Sequence, residues 1–138
     1  MIILTNNPDV EKWYADRVDP FDKFRGRLRD HTVRLLDGTY RDVLIEARDL
    51  VHKGHRLLSH PLMGSLKPNE TPYRTIALSD SPGPLDTDSL LLIENAIETF
   101  DKFAKVTRPD RGINTPQEML ADFRLIDSSL IQSMEVNE

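Results

Sequence analysis

The sequence predicts an α/β fold: a small, mostly parallel four-stranded sheet flanked by helices, in a single layered domain that ends in two helices. Three observations support this prediction. Short apolar segments alternate along the chain with amphipathic segments of helical period. The apolar segments lack polar alternation, which is typical of strands covered on both faces. The 138 residues suffice for one compact core, so residues 1–138 are interpreted as one domain.

The first strand and the first helix follow each other closely. Ile2–Leu4 is the predicted strand. Asn7 then caps a helix with its side-chain oxygen, and Pro8 occupies the first helical position, where its missing N–H costs nothing. Thr32–Leu36 is the second predicted strand.

The second helix is predicted to open at Thr39, with Asp42 three residues later in a capping-box arrangement. Gly54 ends it, because glycine readily adopts the left-handed backbone of a helix end. One buried stripe is expected between them, formed by Val43, Leu44, Ala47, Leu50 and Val51.

The third and fourth strands are predicted at Arg56–Ser59 and Arg74–Leu78. No obvious helix connects them, so either they pair antiparallel or the connection contains a short turn. A long helix over about Asp86–Lys105 follows, with Leu90, Ile93, Ile97, Phe100 and Ala104 at helical spacing.

The last helix is predicted to start at Thr115 and Pro116, with Glu118 completing the cap. Its inner face contains one polar residue, Asp127, which should have a Lys, Arg or backbone donor as a structural partner. The inner face as a whole comprises Leu120, Phe123, Asp127, Leu130, Ile131 and Met134.

Composition excludes several classes of function. The net charge of −5 argues against nucleic-acid binding, and the absence of cysteine excludes disulfides and thiol chemistry. No segment approaches a membrane span and the start resembles no secretion signal, so we expect a cytoplasmic protein without membrane association. His52 and His55 have a zinc-like spacing, but Gly54 separates them, and the strand between His55 and His60 keeps those two apart. We therefore predict no metal, no cofactor and a helix-end role for His52 and His55.

One stretch departs from the acidic average. Residues 17–34 contain six Lys or Arg and three Asp, a local net charge of +3, interleaved with two Phe. A solvated connector pinned to the core by the Phe side chains is the favoured interpretation. The stretch could equally contact an acidic partner or close over an anionic ligand.

Polar residues gather after two predicted strands, where ligands of parallel α/β sheets bind. The first group is accompanied by a helix N-terminus, which favours an anion, and the second contains a lysine. We therefore predict a site for a small carboxylate or phosphate, provided that the two strands lie side by side and parallel. The predicted ligand-binding residues are Thr5, Asn6, Asn7, His60, Gly64, Ser65, Lys67 and Asn69. Turn formation alone is the competing interpretation.

Three long strings carry a family resemblance: "ILTNNP" (3–8), "DLVHKGHRLLSHPLMGSLKPNETPY" (49–73) and "DFRLIDSSLI" (122–131). Together they resemble the GrdX family, small proteins encoded beside the glycine, sarcosine and betaine reductase genes of amino-acid-fermenting anaerobes. The resemblance implies a supporting role near glycine reduction and assigns no catalytic residue. It coincides with Thr5–Pro8 and His60–Tyr73, which adds Thr71 and Tyr73 to the candidate site.

Three functions follow as hypotheses. The first is an accessory protein that binds a small anion such as glycine, betaine, acetate or acetyl phosphate. The second is an interaction or assembly factor for a reductase subunit, using the terminal helices or residues 17–34. The third is a small enzyme with His60 or Glu70 as general base. A homodimer through the long final helix is compatible with each of them.

Overall fold

A computed structural model of the protein describes residues 1–16, 31–62, 71–104 and 117–136. Within these ranges the chain forms three strands and four helices. In order they are β1 (Ile2–Thr5), α1 (Pro8–Asp16), β2 (Thr32–Leu35), α2 (Tyr40–His52), β3 (Thr75–Leu78), α3 (Thr87–Ala104) and α4 (Gln117–Val136).

The described sheet has three strands in the order β2-β1-β3, and it is mixed. β1 pairs parallel with β2 and antiparallel with β3. The α/β class is therefore confirmed, whereas the prediction of a four-stranded, mostly parallel sheet is wrong. A sequence pattern indicates that a segment is a strand, but it does not indicate which strand pairs with it. The pairing depends on contacts between residues far apart in the chain.

The predicted third strand, Arg56–Ser59, is reduced to one antiparallel bridge between Leu57 and Leu78. At its end the Ser59 hydroxyl, rather than a backbone carbonyl, accepts a hydrogen bond from the Ala77 N–H at 2.9 Å, so the ladder stops there. This segment runs in the direction of β1, since both are antiparallel to β3. The two are not side by side, however, because β3 lies between them.

The sheet divides the helices into two layers. Alternate side chains of β1 and β3 point to opposite faces. Ile2, Leu4, Ile76 and Leu78 pack in one apolar cluster with α2 and α3. Ile3 and Ala77 pack in the other with α1 and α4, through Val10, Tyr14 and Ile131.

The predicted buried stripe of α2 is confirmed, since all five of its residues are buried. Its capping box is also present: the Thr39 hydroxyl accepts from the Asp42 N–H at 3.1 Å, and the Asp42 carboxylate accepts from the Thr39 N–H at 2.8 Å. Gly54 follows the helix with φ of +105°, as predicted. The Thr115–Pro116 start predicted for the last helix lies outside the described residues.

In the part of the chain that the structure describes, no helix combines the length and the apolar character needed to cross a membrane.

Candidate functional site

The candidate site is the edge of the sheet where β1 ends and β3 begins. The antiparallel register places Thr5 opposite Thr75, so the residues after β1 meet the residues before β3. We call this edge the rim and define it as Asn6, Asn7, Thr71, Tyr73 and Arg74.

Asn6 joins three segments at the rim. Its side-chain Nδ2 donates to the Gly38 carbonyl at 3.1 Å and to the Pro72 carbonyl at 2.8 Å. Its Oδ1 accepts from the Arg74 N–H at 2.9 Å. The amide therefore holds together the turn before α2, the end of β1 and the start of β3.

Asn7 joins the first helix to the last. Its Oδ1 accepts from the Asp9 N–H at 3.0 Å, which is the predicted N-cap of α1. Its Nδ2 donates to the Arg124 carbonyl at 2.9 Å and to the Asp127 carboxylate at 3.0 Å. A residue predicted as a cap therefore also anchors α4.

A buried chain of hydrogen bonds ends on Asp127. The Thr75 hydroxyl donates to Asp127 Oδ2 at 2.7 Å. The Thr5 hydroxyl lies 2.8 Å from the Thr75 hydroxyl, and since the Thr75 proton goes to Asp127, Thr5 is the donor of that pair. The Asn7 N–H in turn donates to Thr5 at 2.9 Å. Asp127 thus has structural partners, as predicted, although they are Asn and Thr side chains.

Burial raises the pKa of Asp127 above its usual range, because desolvation penalises the charged form. The positive charge of Arg74 and the hydrogen bonds from Asn7 and Thr75 act in the opposite direction. A carboxyl group whose charge depends on its folded surroundings therefore lies next to the rim.

Arg74 lies against an aromatic ring on the other face of the sheet. Its guanidinium carbon is 5.1 Å from the centre of the Tyr40 ring, and that ring stacks on Phe100 at 5.1 Å. Burial raises the pKa of the Tyr40 hydroxyl, and the nearby Arg74 charge opposes this shift. Arg74 is thus a buried cation that acts on both Tyr40 and Asp127.

A second arginine lies at the outer side of the rim. Arg124 of α4 donates from Nη1 to the Tyr73 hydroxyl at 3.0 Å, and its guanidinium is 5.6 Å from the Tyr73 ring centre. Its Nε is 3.5 Å from the Asp9 carboxylate. The side chain of Arg124 stays 22% exposed, so it can contact a solute.

The predicted role of the α1 N-terminus is not supported by its hydrogen bonds. The N–H groups of Asn7, Asp9 and Val10 all have acceptors within the protein, and Pro8 has no N–H. Cation side chains, rather than free backbone donors, are therefore the groups that suit an anion at this edge.

The remaining predicted site residues have separate positions. Thr71 is buried and its hydroxyl accepts from the Tyr73 N–H at 3.3 Å, which is a turn-forming bond. His60 is exposed, and its Nδ1 accepts from the Leu62 N–H at 3.0 Å. Five further candidates lie outside the described residues: Gly64, Ser65, Lys67, Asn69 and Glu70.

The other histidines do not form a pair at the end of α2. His52 is 3.6 Å from Glu94 of α3, and His55 Nδ1 is 2.8 Å from the Ser79 carbonyl. The contacts of the two rings therefore do not support the helix-end role predicted for His52 and His55. Among the described residues, no group of three His, Cys, Asp or Glu could hold a metal ion.

Sequence reasoning missed four residues of the site: Tyr40, Arg74, Thr75 and Arg124. A signal for Arg74 was available in the sequence. A buried Asp127 requires a donor or a positive charge nearby, and Arg74 directly precedes an apolar strand. The register that brings Thr75 opposite Thr5 leaves no such local signal.

Comparison with known proteins identifies the family. The family model described as GrdX-like protein matches residues 2–135. The chain belongs to the GrdX-like protein family. Neither the curated proteins nor the solved structures gave a match. The match of this GrdX-like protein begins in β1 and ends in α4, so it includes every residue of the rim.

Proposed function

We propose that this GrdX-like protein is an accessory protein of the glycine, sarcosine and betaine reductase system that binds a small carboxylate or phosphate at the rim. The observation that carries the proposal is the position of Arg124, partly exposed and hydrogen-bonded to the Tyr73 hydroxyl. Arg74, the neighbour of Tyr73 in sequence, is buried against Tyr40, where its charge adds to the positive potential of the same edge. Guanidinium groups suit carboxylates and phosphates because they donate two parallel hydrogen bonds.

Arg124 can bind an anion without losing a strong ion pair. Its closest carboxylate in the described structure is that of Asp9, at a long distance of 3.5 Å and with the Asp9 side chain 52% exposed. Exposed ion pairs of this kind contribute only about 0–1 kcal/mol. A ligand that offers two oxygens to Arg124 can therefore replace Asp9.

The asparagines have a positioning role in this proposal. The amides of Asn6 and Asn7 are bonded to the protein, and they hold β1, β3 and α4 in the arrangement that places Tyr73 beside Arg124. Gly64, Ser65 and Lys67, predicted from the sequence as ligand-binding residues, remain part of the proposed site. They precede Thr71 along the chain, and Lys67 would add a further positive charge.

Thermal unfolding with added ligand tests the proposal. We expect inorganic phosphate, acetyl phosphate, acetate, glycine or betaine to raise the melting temperature, since a ligand at 100 times its Kd stabilises by about 2.7 kcal/mol. Arg124→Gln should abolish the shift. Arg41→Gln should retain it, because Arg41 is a surface arginine that pairs with Asp101 at 2.9 Å between α2 and α3. No shift with any of these compounds, in a protein that unfolds cooperatively, would reject the proposal.

A further inference from the structure

Helix α4 exposes apolar side chains while it buries polar ones. Met119, Leu125 and Ile126 are 40%, 62% and 43% exposed, whereas Asp127 and Ser128 are only 3% and 4% exposed. The polar residues are inside because Asp127 bonds to Asn7 and Thr75. The apolar residues on the outside have no such explanation from the fold.

The exposed residues form one continuous surface around Asp122. Side chains three or four positions apart are neighbours on a helix, and Asp122 has this spacing to each of the three. We define the α4 patch as Met119, Asp122, Leu125 and Ile126. A single exposed apolar residue is ordinary, but a contiguous group marks an interaction surface.

Among the described residues of α4, the charged side chains at the α4 patch are acidic. Asp122 and Glu118 are exposed, and neither forms an ion pair with another described residue. The one arginine of α4, Arg124, is directed to Tyr73 and Asp9. A second copy of the chain, packed on the same patch about a two-fold axis, would bring like charges together, which is unfavourable. A positively charged partner is complementary.

We propose that the α4 patch binds an amphipathic helix of another protein that carries apolar residues and Lys or Arg on one face. The apolar side chains of that helix would cover Met119, Leu125 and Ile126, and one of its cations would pair with Asp122. This inference goes beyond ligand binding, and neither proposal depends on the other, because the patch and the rim use different side chains.

Fluorescence anisotropy with a labelled synthetic helix tests the inference. The probe is an amphipathic peptide composed of Leu and Lys, and its Leu and Glu counterpart is the peptide control. We expect the Leu/Lys peptide to bind at physiological salt and the Leu/Glu peptide not to bind. Ile126→Ser and Asp122→Lys should each weaken binding at least about tenfold, as expected for residues central to an interface.

Two matched variants on α3 separate the patch from general attraction to an acidic protein. Leu91→Ser removes an apolar side chain that is 58% exposed, and Asp88→Lys reverses an exposed charge. Both lie on the opposite layer from α4 and should leave the affinity within about twofold, well below the interface effect. Far-ultraviolet circular dichroism verifies that each variant is folded. Equal weakening by the α3 variants, or no binding of the Leu/Lys peptide, would overturn the inference. A dimer in sedimentation that Ile126→Ser dissociates would overturn it in favour of a second copy.

Discussion

At the scale of single residues, Asp127 concentrates several of the interactions that define the rim. Its carboxylate accepts hydrogen bonds from α1 through Asn7 and from β3 through Thr75, and it experiences the charge of Arg74. These interactions favour the charged form, whereas burial disfavours it. Burial is the larger effect, so the pKa of Asp127 is raised in the folded protein. The consequence is a defined dependence of stability on pH.

We expect Asp127→Asn to be more stable than the wild type at pH 7. An acid whose pKa is raised by folding binds its proton more tightly in the folded protein than in the unfolded chain. It stabilises the folded state fully at pH values below its unfolded pKa of about 3.9, and this contribution is lost as the pH rises through the folded pKa. The Asn side chain keeps an acceptor for Asn7 and Thr75 without the charge. The difference in unfolding free energy should therefore shrink as pH falls toward 4, by about 1.4 kcal/mol for each unit of pKa shift.

Urea unfolding of both proteins across this pH range measures the effect. Asp122→Asn, on the exposed side of the same helix, is the matched control for the loss of a carboxylate. The opposite result would be a stability of Asp127→Asn, relative to the wild type, that is lower at pH 7 than at pH 4. It would mean that the attraction of Arg74 affects the pKa of Asp127 more than burial does.

Gly54 gives a second prediction at this scale. Its φ of +105° is strained for any residue with a side chain, and a Cβ there would collide with the Gly83 carbonyl oxygen. We expect Gly54→Ala to lower the unfolding free energy by at least about 1–3 kcal/mol. Gly83→Ala is the control, since an added Cβ at that position meets no atom within 4 Å. Equal stability of the two variants in chemical denaturation would contradict this account of the turn.

At the scale of elements, the helix ends were predictable and the strand pairing was not. Asn7, Thr39 and Gly54 act within one helical turn, so their sequence neighbours reveal their role. The insertion of β3 between β1 and the segment ending at Ser59 depends on contacts between residues far apart in the chain. Short apolar segments have no local signal for such an order.

We expect different effects when the two helix-capping side chains are removed, because only one of them also forms hydrogen bonds with another helix. Thr39→Ala removes a cap that serves α2 alone and should cost about 1 kcal/mol. Asn7→Ala removes the cap of α1 and also the donor to Arg124 and Asp127, so a loss of about 2–4 kcal/mol is expected. Hydrogen exchange should then accelerate in both α1 and α4, whereas Thr39→Ala should affect α2. An Asn7→Ala effect confined to α1 would show that the amide does not anchor α4.

At the scale of the whole molecule, part of the site followed from the sequence. Asn6 and Asn7 were found because polar residues after a buried strand lie at the sheet edge. Tyr40 comes from α2, Arg74 precedes β3 and Arg124 comes from α4, so only the assembled fold brings them to one edge. The strand-end rule indicated Asn6 and Asn7, whereas Arg74 and Arg124 could be assigned to this edge only from the tertiary structure.

The two layers of the fold differ in how they are held to the sheet. Among the described residues, the layer of α2 and α3 shares a cluster of 13 buried residues, whereas the layer of α1 and α4 shares a cluster of five. In that smaller cluster the one fully buried apolar side chain from α4 is Ile131, at 1% exposure. Apolar burial is the main source of stability, so α4 should open at a lower free energy than α2 and α3.

Native-state hydrogen exchange tests this difference through two matched truncations. Ile93→Ala, in the larger cluster, should cost about 2–5 kcal/mol and lower the protection of α2 and α3, while that of α4 stays nearly unchanged because the larger cluster is intact when α4 opens. Ile131→Ala should lower the protection of α4 and of α2 and α3 by similar amounts, because it destabilises the native state relative to both the state with α4 detached and the unfolded state. Equal protection of α2, α3 and α4 in the wild type would instead mean that the polar bonds of Asn7 and Asp127 couple α4 fully to the sheet. The two layers would then unfold as one cooperative unit.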